Sequence, residues 1–209
     1  MSTIILTSSG KFITSYNVDY VLPKKITDSK IAYIITASKK VPRIDFIHRH
    51  KKSMDELGFS YTEIDIDGKN AEELKRELTG YDVVIVDGGN TFYLLKAIRE
   101  SGFADVIKSL IAQGVVYIGS SAGSYVACPS IIMATFRDMG YDRCGLTDYA
   151  AMNLVPFLMM AHYTEDQLEL LKEKRKGLQY PLHILNDEQA LLIKDGDVQL
   201  LGAGVEIVL

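Results

Sequence analysis

The sequence predicts an α/β fold: a three-layer sandwich in which helices cover both faces of a central, mostly parallel sheet. Short apolar runs rich in Val and Ile recur along the chain, as they do in strands that are buried on both faces. Amphipathic stretches with helical spacing separate these runs, which is the pattern of βαβ units. A length of 209 residues suits one domain of this kind, and we expect residues 1–209 to form it.

The predicted strands of the parallel sheet lie in the first 120 residues. Val83–Val86 consists entirely of β-branched residues, and Thr3–Thr7, 31–35 and 115–118 are also apolar runs of strand length. Residues 60–66 alternate between apolar and polar positions, which is typical of a strand with one buried face. Together these runs predict a sheet of at least five strands.

Helices are predicted between these strands. In residues 44–57 the apolar side chains recur at helical spacing, and Gly58 follows as a stop signal. Ala71–Leu78 has the same spacing. Residues 92–98 and 104–112 predict either one helix or a broken pair. Right-handed crossovers would distribute these helices over both faces of the sheet.

The pattern loosens beyond residue 130. Residues 136–148 predict a loop, and residues 165–176 predict a charged surface helix. Four short strands are predicted near the end, at 182–185, 190–193, 198–200 and 205–209. Because Asp195-Gly196 is a hairpin-type turn signal, we expect the chain to finish with antiparallel strands at a sheet edge.

Composition and charge disfavour several classes of partner. A net charge of −4 and an isoelectric point near 5.6 disfavour nucleic acid. No apolar run approaches the roughly 20 residues of a membrane span, and the first residues lack a signal-peptide pattern. Cys128 and Cys144 predict free thiols in a reducing compartment. We therefore expect a cytoplasmic protein that binds neither nucleic acid nor a membrane.

The most informative segment runs from Gly119 to Gly123 and reads Gly-Ser-Ser-Ala-Gly. It lies between a predicted strand and a helix-compatible stretch, the context in which G-x-S-x-G forms a nucleophile elbow. Small neighbours permit a sharp turn that would lift the Ser121 hydroxyl clear of the sheet, with the Ala122 amide facing an oxyanion. Ser120 is the competing nucleophile, although the motif spacing favours Ser121. An incidental Gly-rich turn is the alternative interpretation.

A second Gly-rich segment, Asp87-Gly88-Gly89-Asn90-Thr91, follows the strand Val83–Val86. Ligands of open α/β sheets bind at such strand ends, and adjacent glycines let backbone amides approach a ligand closely. Gly88 or Gly89 could therefore supply a second oxyanion donor, while Asn90 or Thr91 could cap the next helix. A plain turn with a cap is the simpler interpretation. A phosphate cradle is disfavoured, because neither nucleotide-binding glycine spacing is present.

Four histidines are candidates for the base that a serine nucleophile needs. His48 and His50 lie in a basic stretch that we expect to be a solvated helix face, and their spacing disfavours a metal site. His183 lies in a predicted strand and suits a structural role. His162 comes where the apolar run 154–160 emerges into a loop, so it is the preferred base, with a structural role still open.

The acid that orients the imidazole should come from the polar segment between two predicted strands. Asp187 and Glu188 are both candidates there. A simple polar turn is the alternative interpretation of this segment. The chain order would be serine, histidine, acid, which differs from the order in α/β-hydrolases.

Three segments together resemble the peptidase E (aspartyl dipeptidase) family, which includes the cyanophycinases. They are residues 88–92, the elbow at 119–123, and Pro156 through His162-Tyr163-Thr164. They occur in the family's order and span nearly the whole chain. The resemblance implies a class I glutamine amidotransferase-like fold and a serine peptidase that uses no metal and no cofactor.

The resemblance also implies roles for individual residues. Ser121 is similar to the family's nucleophile, His162 to its base, and Asp187 to its acid, with Glu188 as second choice. The oxyanion and substrate-binding side is carried over to a set of four residues, namely Gly88, Gly89, Asn90 and Ala122. The expected partner is a small peptide cleaved in a dipeptidase-like manner, and a homodimer remains open as the assembly.

One departure from the family concerns substrate preference. Peptidase E uses basic residues beyond its histidine to select an N-terminal aspartate, whereas acidic Glu165 and Asp166 follow His162 here. The family's aspartyl specificity therefore does not carry over from this segment, and an acidic N-terminal residue stays an open specificity. Two rivals remain, an amidotransferase-like enzyme with a cysteine nucleophile and a catalytically degenerate binding protein. Serine at position 121 disfavours the first of them.

Overall fold

The computed structural model describes residues 2–136, 141–207 and 209. The first five strands described are short and lie in the first 120 residues. The strands found in the described residues are β1 (Thr3–Thr7), β2 (Lys30–Ile34), β3 (Ser60–Ile64), β4 (Val83–Val86), β5 (Val116–Ser120), β6 (Leu158–Met160), β7 (Leu182–Ile184), β8 (Gln189–Lys194) and β9 (Asp197–Gly202). The predicted strands of the parallel sheet are therefore present, with boundaries that shift by one or two residues.

The α-helices alternate with the strands through the first half of the chain. They are α1 (Lys11–Ser15), α2 (Asp45–Glu56), α3 (Ala71–Leu78), α4 (Thr91–Ser101), α5 (Phe103–Ala112), α6 (Ala122–Ala127) and α7 (Leu168–Arg175). None of these helices combines the length and the apolar character that a membrane crossing requires.

Seven strands form one sheet in the order β3-β2-β4-β5-β1-β8-β9. The first five of this order run parallel, and β8 and β9 are antiparallel to their neighbours. The predicted mostly parallel sheet with an antiparallel edge is therefore confirmed. β6 and β7 pair separately as a two-stranded parallel sheet, so the segment 182–185 does not join the main sheet edge.

Alternate side chains of the main sheet point into two separate hydrophobic cores. Val84 and Val86 face one core, which also contains the buried side chains of α3 to α6. Val83 and Ile85 face the other, which contains side chains from α1 and α2, including Met54. Because helices cover both faces, the predicted three-layer sandwich is confirmed.

Backbone conformation explains two differences from the predicted elements. The stretch 92–112 forms two helices, because Gly102 between them adopts a left-handed conformation with φ of 72°. The prediction of a strand at 205–209 is wrong for the described residues. Ile207 forms only an isolated bridge with Ile184. Gly202 has a φ of 99° and ends β9, so the chain turns away from the sheet before this apolar run begins.

Two predicted segments fall partly outside the described residues. In the loop predicted at 136–148, residues 137–140 lie outside them, and the remaining positions contain no helix or strand. Val208 of the predicted terminal strand also lies outside them. The helix predicted at 165–176 begins as a 3-10 turn over Glu165–Gln167 and continues as α7.

The carboxyl ends of β1, β4 and β5 meet at one edge of the sheet, because these strands are parallel. Ser8, Asp87 and Ser121 directly follow the three strands. β8 runs the other way beside β1, so the residues that precede it lie at the same edge. This topology brings Asp187 to the place where Ser121 emerges.

Candidate active site

The elbow around Ser121 joins the end of β5 to the start of α6. Ser121 has φ of 49° and ψ of −103°, a conformation that residues with a Cβ rarely adopt. Such a residue costs on the order of 1–3 kcal/mol and persists only where its surroundings impose it. The strand–turn–helix setting expected for the motif is present, and its central residue carries the backbone strain.

The two glycines of the motif allow this turn to pack closely. A Cβ at Gly123 would lie 1.9 Å from the carbonyl oxygen of Val86, and one at Gly119 would lie 2.7 Å from the carbonyl oxygen of Gly123. Any larger residue would therefore overlap the neighbouring backbone. α6 consequently approaches β4 at backbone distance, and this approach sets where the Ser121 hydroxyl emerges.

Ser121, His162 and Asp187 form a continuous chain of hydrogen bonds. The Ser121 hydroxyl lies 2.9 Å from Nε2 of His162, and Nδ1 of His162 lies 2.5 Å from Oδ1 of Asp187. His162 follows β6 and Asp187 precedes β8, so separate sheets supply the imidazole and the carboxylate. When Nδ1 holds its proton toward Asp187, Nε2 is free to accept the serine proton. The arrangement has the geometry of an activated nucleophile.

Glu188, the second candidate acid, does not contact the imidazole. Its backbone N–H donates to Oδ1 of Asn186 at 2.9 Å, and its side chain is exposed. The amide of Gln189 donates to the carbonyl oxygen of Asn186 at 3.1 Å, which closes a turn. A polar turn is thus present, and it directs Asp187 rather than Glu188 toward His162.

Ser8 is a polar contact of this site that we did not predict from the sequence. Its hydroxyl donates to Oδ1 of Asp187 at 2.9 Å and accepts from the backbone N–H of His162 at 2.6 Å. The signal was available, because Ser8 follows β1 as Ser121 follows β5. A polar residue at the carboxyl end of any parallel strand in such a sheet is therefore a candidate for the functional site.

Two backbone amides near Ser121 lack a partner within the described residues. They belong to Gly89 and Ala122, which were both predicted oxyanion donors. The amide of Gly88 donates instead to Oδ1 of Asp87 at 2.7 Å. Gly88 lines the cavity described below, but its N–H is engaged, and we do not carry it forward as an oxyanion donor.

Asn90 is buried, and its side chain is engaged within the fold. Its Oδ1 accepts from the amides of Phe92 and Tyr93 at 3.0 and 3.1 Å, and its Nδ2 donates to the carbonyl oxygen of Asp142 at 2.9 Å. Asn90, rather than Thr91, is therefore the cap of α4. Because its polar atoms are satisfied, we do not carry Asn90 forward as a substrate contact.

A cavity of about 750 Å³ opens beside Ser121. Gly88, Gly89 and His162 line it at the sheet edge, and side chains of α2 such as Phe46 form another wall. This volume lies in the range of pockets that hold small ligands. The cavity therefore has room for a short peptide next to the serine hydroxyl.

Within the described residues, three cations and two carboxylates, those of Glu56 and the buried Asp87, line the cavity. Lys11, Arg49 and Arg143 line it, and none of them pairs with a carboxylate of the described residues. Arg143 lies over the ring of Phe92, with its guanidinium carbon 5.7 Å from the ring centroid. These three cations are available to an anionic group of a ligand.

His50 differs from its predicted environment. His48 is exposed on α2 as expected, but His50 on the same helix is only 6% exposed. Its Nδ1 lies 3.1 Å from Oδ2 of Asp87, which also accepts the hydroxyl of Tyr33. The prediction of a solvated face is wrong for His50, because a buried carboxylate lies beneath the helix and requires hydrogen-bond donors.

The remaining candidates, one histidine and two cysteines, do not have the properties of a catalytic base or nucleophile. Nδ1 of His183 lies 2.7 Å from Oε1 of Glu206, in keeping with the structural role predicted for this histidine. Burial raises the pKa of the Cys128 thiol to about 12, and burial also raises that of Cys144. A thiol with a raised pKa is a poor nucleophile. No three His, Cys, Asp or Glu side chains converge as metal ligands within residues 2–136, 141–207 and 209.

Comparison with known proteins supplies the family. The model of peptidase family S51 matches residues 4–201. An uncharacterised peptidase of Listeria innocua is 29% identical over 203 residues, which cover 95% of either chain. Peptidase E of a Nostoc species is 33% identical over 135 residues, which cover 65% of this chain and 52% of the relative.

Solved structures agree with this assignment. A Listeria monocytogenes protein described as a peptidase E superposes with a TM-score of 0.82 and 28% identity, covering 98% of this chain and 100% of the other. A peptidase from an acI-B1 actinobacterium gives a TM-score of 0.66 at 16% identity, a likeness of fold alone. The resemblance drawn from the three sequence segments is therefore confirmed. The chain belongs to peptidase family S51 and is a serine peptidase with the fold of peptidase E.

Proposed function

We propose that the protein hydrolyses short peptides through an acyl-enzyme formed on Ser121. The observation that carries this proposal is the hydrogen-bonded chain from Ser121 through His162 to Asp187. It supplies a nucleophile, a general base and a group that orients the base, the three roles that a serine hydrolase needs. Neither buried Cys128 nor half-buried Cys144 offers a comparable nucleophile.

Acylation begins when the Ser121 oxygen attacks the peptide carbonyl carbon. The serine proton passes to Nε2 of His162, while Asp187 stabilises the imidazolium through Nδ1. The carbonyl oxygen becomes an oxyanion, for which the free amides of Gly89 and Ala122 are the proposed donors. The carbon–nitrogen bond then breaks, and His162 returns the proton to the leaving amine.

Deacylation repeats the sequence with water as the nucleophile. His162 takes a proton from water as the water oxygen attacks the acyl carbon. The bond to the Ser121 oxygen breaks, and that oxygen recovers the proton from Nε2. The peptide acid leaves and the enzyme returns to its starting state, so no other reactant is required.

The cavity supports a short and acidic peptide as the substrate. Its volume of about 750 Å³ suits a molecule of dipeptide size. Lys11, Arg49 and Arg143 lack carboxylate partners within the described residues, so a peptide carboxylate would complete their pairing. Arginine binds carboxylates well, because its planar fork can donate two parallel hydrogen bonds. This carboxylate could belong to an acidic side chain of the peptide or to its C-terminus.

The test compares Ser121→Ala with Ser120→Ala on a panel of dipeptides with acidic, neutral and basic first residues. We expect Ser121→Ala to lower kcat/KM on the order of 10⁴-fold or more, because it removes the nucleophile. Ser120→Ala removes a neighbouring hydroxyl at a buried position and should retain activity. The wild-type protein should cleave the acidic members of the panel fastest.

A fluorophosphonate label provides a second readout. It should modify Ser121 in the wild-type protein and in Ser120→Ala, and it should fail to modify Ser121→Ala. Undiminished hydrolysis by Ser121→Ala would overturn the assignment of the nucleophile. Absence of both labelling and hydrolysis in the wild-type protein would instead favour a catalytically degenerate binding protein.

A further inference from the structure

A second acid–imidazole cluster lies beside the cavity, apart from the proposed catalytic residues. His50 and Asp87 are among the residues that line the cavity, and Tyr33 is buried next to them. Asp87, Tyr33 and His50 come from three different elements and are 2%, 0% and 6% exposed. Oδ2 of Asp87 accepts the Tyr33 hydroxyl and lies 3.1 Å from Nδ1 of His50, and Oδ1 accepts the Gly88 amide. Burial alone would raise the pKa of Asp87, but the bonds from His50, Tyr33 and Gly88 hold it below its usual value.

This cluster helps to fix the segment that joins β4 to α4. Three backbone amides of this segment donate hydrogen bonds. The Asp87 amide donates to the Ile34 carbonyl oxygen at 3.1 Å, and the Gly88 amide donates to the Asp87 carboxylate at 2.7 Å. The Asn90 amide donates to the Ala37 carbonyl oxygen at 2.9 Å. Within the described residues, the Gly89 amide is the one member of this run without an acceptor. The hydrogen bonds therefore leave a single donor of the segment free and hold its neighbours in place.

The segment also lies directly against the nucleophile. A Cβ at Gly88 would lie 3.3 Å from Cβ of Ser121. Gly89 has a φ of 141°, and a Cβ there would lie 2.3 Å from the carbonyl oxygen of Ala37. Only glycine fits both constraints at position 89. A small rotation of this peptide would thus redirect the free amide relative to Ser121.

The cluster is kept at an energetic cost. Nε2 of His50 is a buried side-chain nitrogen without a hydrogen-bond partner in the described part of the chain. Leaving such an atom unpaired costs on the order of 1–3 kcal/mol. An apolar residue on α2 facing an apolar partner would avoid that cost. The other nitrogen of the ring lies 3.1 Å from the Asp87 carboxylate, which in turn accepts the hydrogen bond from the Gly88 amide.

We propose that Tyr33, His50 and Asp87 are positioning residues that orient the Gly88–Gly89 peptide, so that the Gly89 amide faces the oxyanion formed at Ser121. The inference rests on the proposed function, because it assigns a purpose within that reaction. The negative charge of an Asp87 carboxylate without hydrogen-bond donors would repel the negatively charged oxyanion. The hydrogen bonds from Tyr33 and His50 offset the charge of Asp87 and let it act through the backbone.

The test removes one hydroxyl by Tyr33→Phe. We expect kcat to fall on the order of 10-fold with KM within about twofold, because the donor is misplaced only for the transition state. Affinity for a peptide boronic acid, whose tetrahedral adduct mimics the oxyanion, should fall by a similar factor. Affinity for the amino-acid product, which forms no oxyanion, should stay unchanged. General loosening of the fold would weaken the binding of both ligands.

Tyr61→Phe is the matched control. The Tyr61 hydroxyl also donates to a carboxylate, that of Asp55 at 2.8 Å, and its ring packs edge-on to Tyr33 with centroids 5.6 Å apart. It makes no bond to Asp87, so its kinetics should match the wild type. Asp87→Asn is the second variant, and we expect it to change kcat in the same direction. If Asp87→Asn does not fold, Tyr33→Phe decides alone.

The outcomes separate this inference from the proposed function. If a fluorophosphonate fails to label Ser121 in the wild-type protein, the proposed function is wrong and the inference falls with it. If the wild type is labelled and kcat of folded Tyr33→Phe stays within twofold, the inference alone is overturned. A rise in KM at unchanged kcat would also overturn it, since that would indicate a contact with the bound substrate instead.

Discussion

At the scale of single residues, Ser8 links two members of the proposed catalytic chain. It accepts from the His162 backbone and donates to the Asp187 carboxylate. The side chain of Asp187 is 55% exposed, and the hydrogen bond from Ser8 helps to hold it beside the imidazole. Ser8 is fully buried, and it therefore acts as a fixed point for a carboxylate at the surface.

Ser8→Ala should lower kcat on the order of 10-fold with little change in KM, because Asp187 and the His162 backbone both lose a hydrogen bond that helps to align them. Steady-state hydrolysis of an acidic dipeptide measures both constants. Ser29→Ala is the control, since Ser29 is also buried and its hydroxyl donates to the Lys25 carbonyl, at 3.0 Å. Equal losses in the two variants would contradict a specific role for Ser8.

The sequence indicated residues whose role depends on local context, and missed those whose role depends on a distant partner. Ser121 stands out because the glycines of its motif, Gly119 and Gly123, lie only two positions away in the chain. Ser8 and His50 do not, since their partners Asp187 and Asp87 lie 179 and 37 residues away. His50 in particular appears in a basic run, and only the packing of α2 over β4 shows that a carboxylate lies beneath it.

At the scale of elements, the contact between α6 and β4 determines where Ser121 lies. Gly123 is the residue at which the helix meets the strand, and a Cβ there would lie 1.9 Å from the Val86 carbonyl oxygen. The Tyr117 hydroxyl donates to the carbonyl oxygen of Gly123 at 2.6 Å from the neighbouring strand. These contacts anchor the short helix that follows Ser121.

Gly123→Ala should therefore lower the free energy of unfolding by about 1–3 kcal/mol or more, since α6 must move away from β4. Urea denaturation measures the change. Gly177→Ala is the control, because Gly177 follows α7 and a Cβ there would meet no atom closer than 3.9 Å. A loss in Gly123→Ala no larger than that in Gly177→Ala would show that the helix can shift without cost.

Periodicity predicted the elements well where a strand or helix is long and regular. Ala71–Leu78 and Val83–Val86 occur with the predicted bounds. The helix buries Leu74 and Leu78 at helical spacing, and the strand is a continuous β-branched run that is buried throughout. The prediction failed at residues 205–209, where apolar character alone suggested a strand. Backbone turns at Gly202 and Gly204 redirect the chain before this run, and the pairing of strands is a tertiary property that periodicity does not contain.

At the scale of the whole molecule, the buried Asp87 cluster couples stability to pH. It joins β2, α2 and the end of β4. Burial and Asp87 raise the pKa of Tyr33, and the nearby Tyr61 and Glu63 of β3 raise it further. The folded-state pKa of Asp87 lies below its unfolded value, which is about 3.9 for an aspartate. Its stabilising effect is therefore complete above the unfolded pKa and is lost as pH falls through the folded pKa.

The Asp87→Asn variant should differ most from the wild type near neutral pH. The difference in free energy of unfolding between the two proteins should shrink as pH is lowered below about 4, where protonation begins to remove the charge in the unfolded chain. Urea denaturation across pH 3 to 7 tests this. A difference that does not vary with pH would mean that the charge of Asp87 contributes nothing to stability.

The layered architecture was the most predictable property of the chain. Buried β-branched strands and intervening helices allow few arrangements, and handedness removes most of these. The separate pairing of β6 with β7 was not predictable, although it carries His162 to the site. Two strands of three residues each have too short a pattern to reveal their partner, which is set by the packing of the segments around them.

The position of Asp187 has a consequence for biosynthesis. In the proposed mechanism the nucleophile is translated first, the base some forty residues later, and the acid only with the strand that pairs against β1. The ribosome must therefore synthesise and release the chain through β8 before the three residues can come together. Until then the growing chain contains Ser121 without the proposed base and acid, so we expect no peptide cleavage by the chain during its own translation.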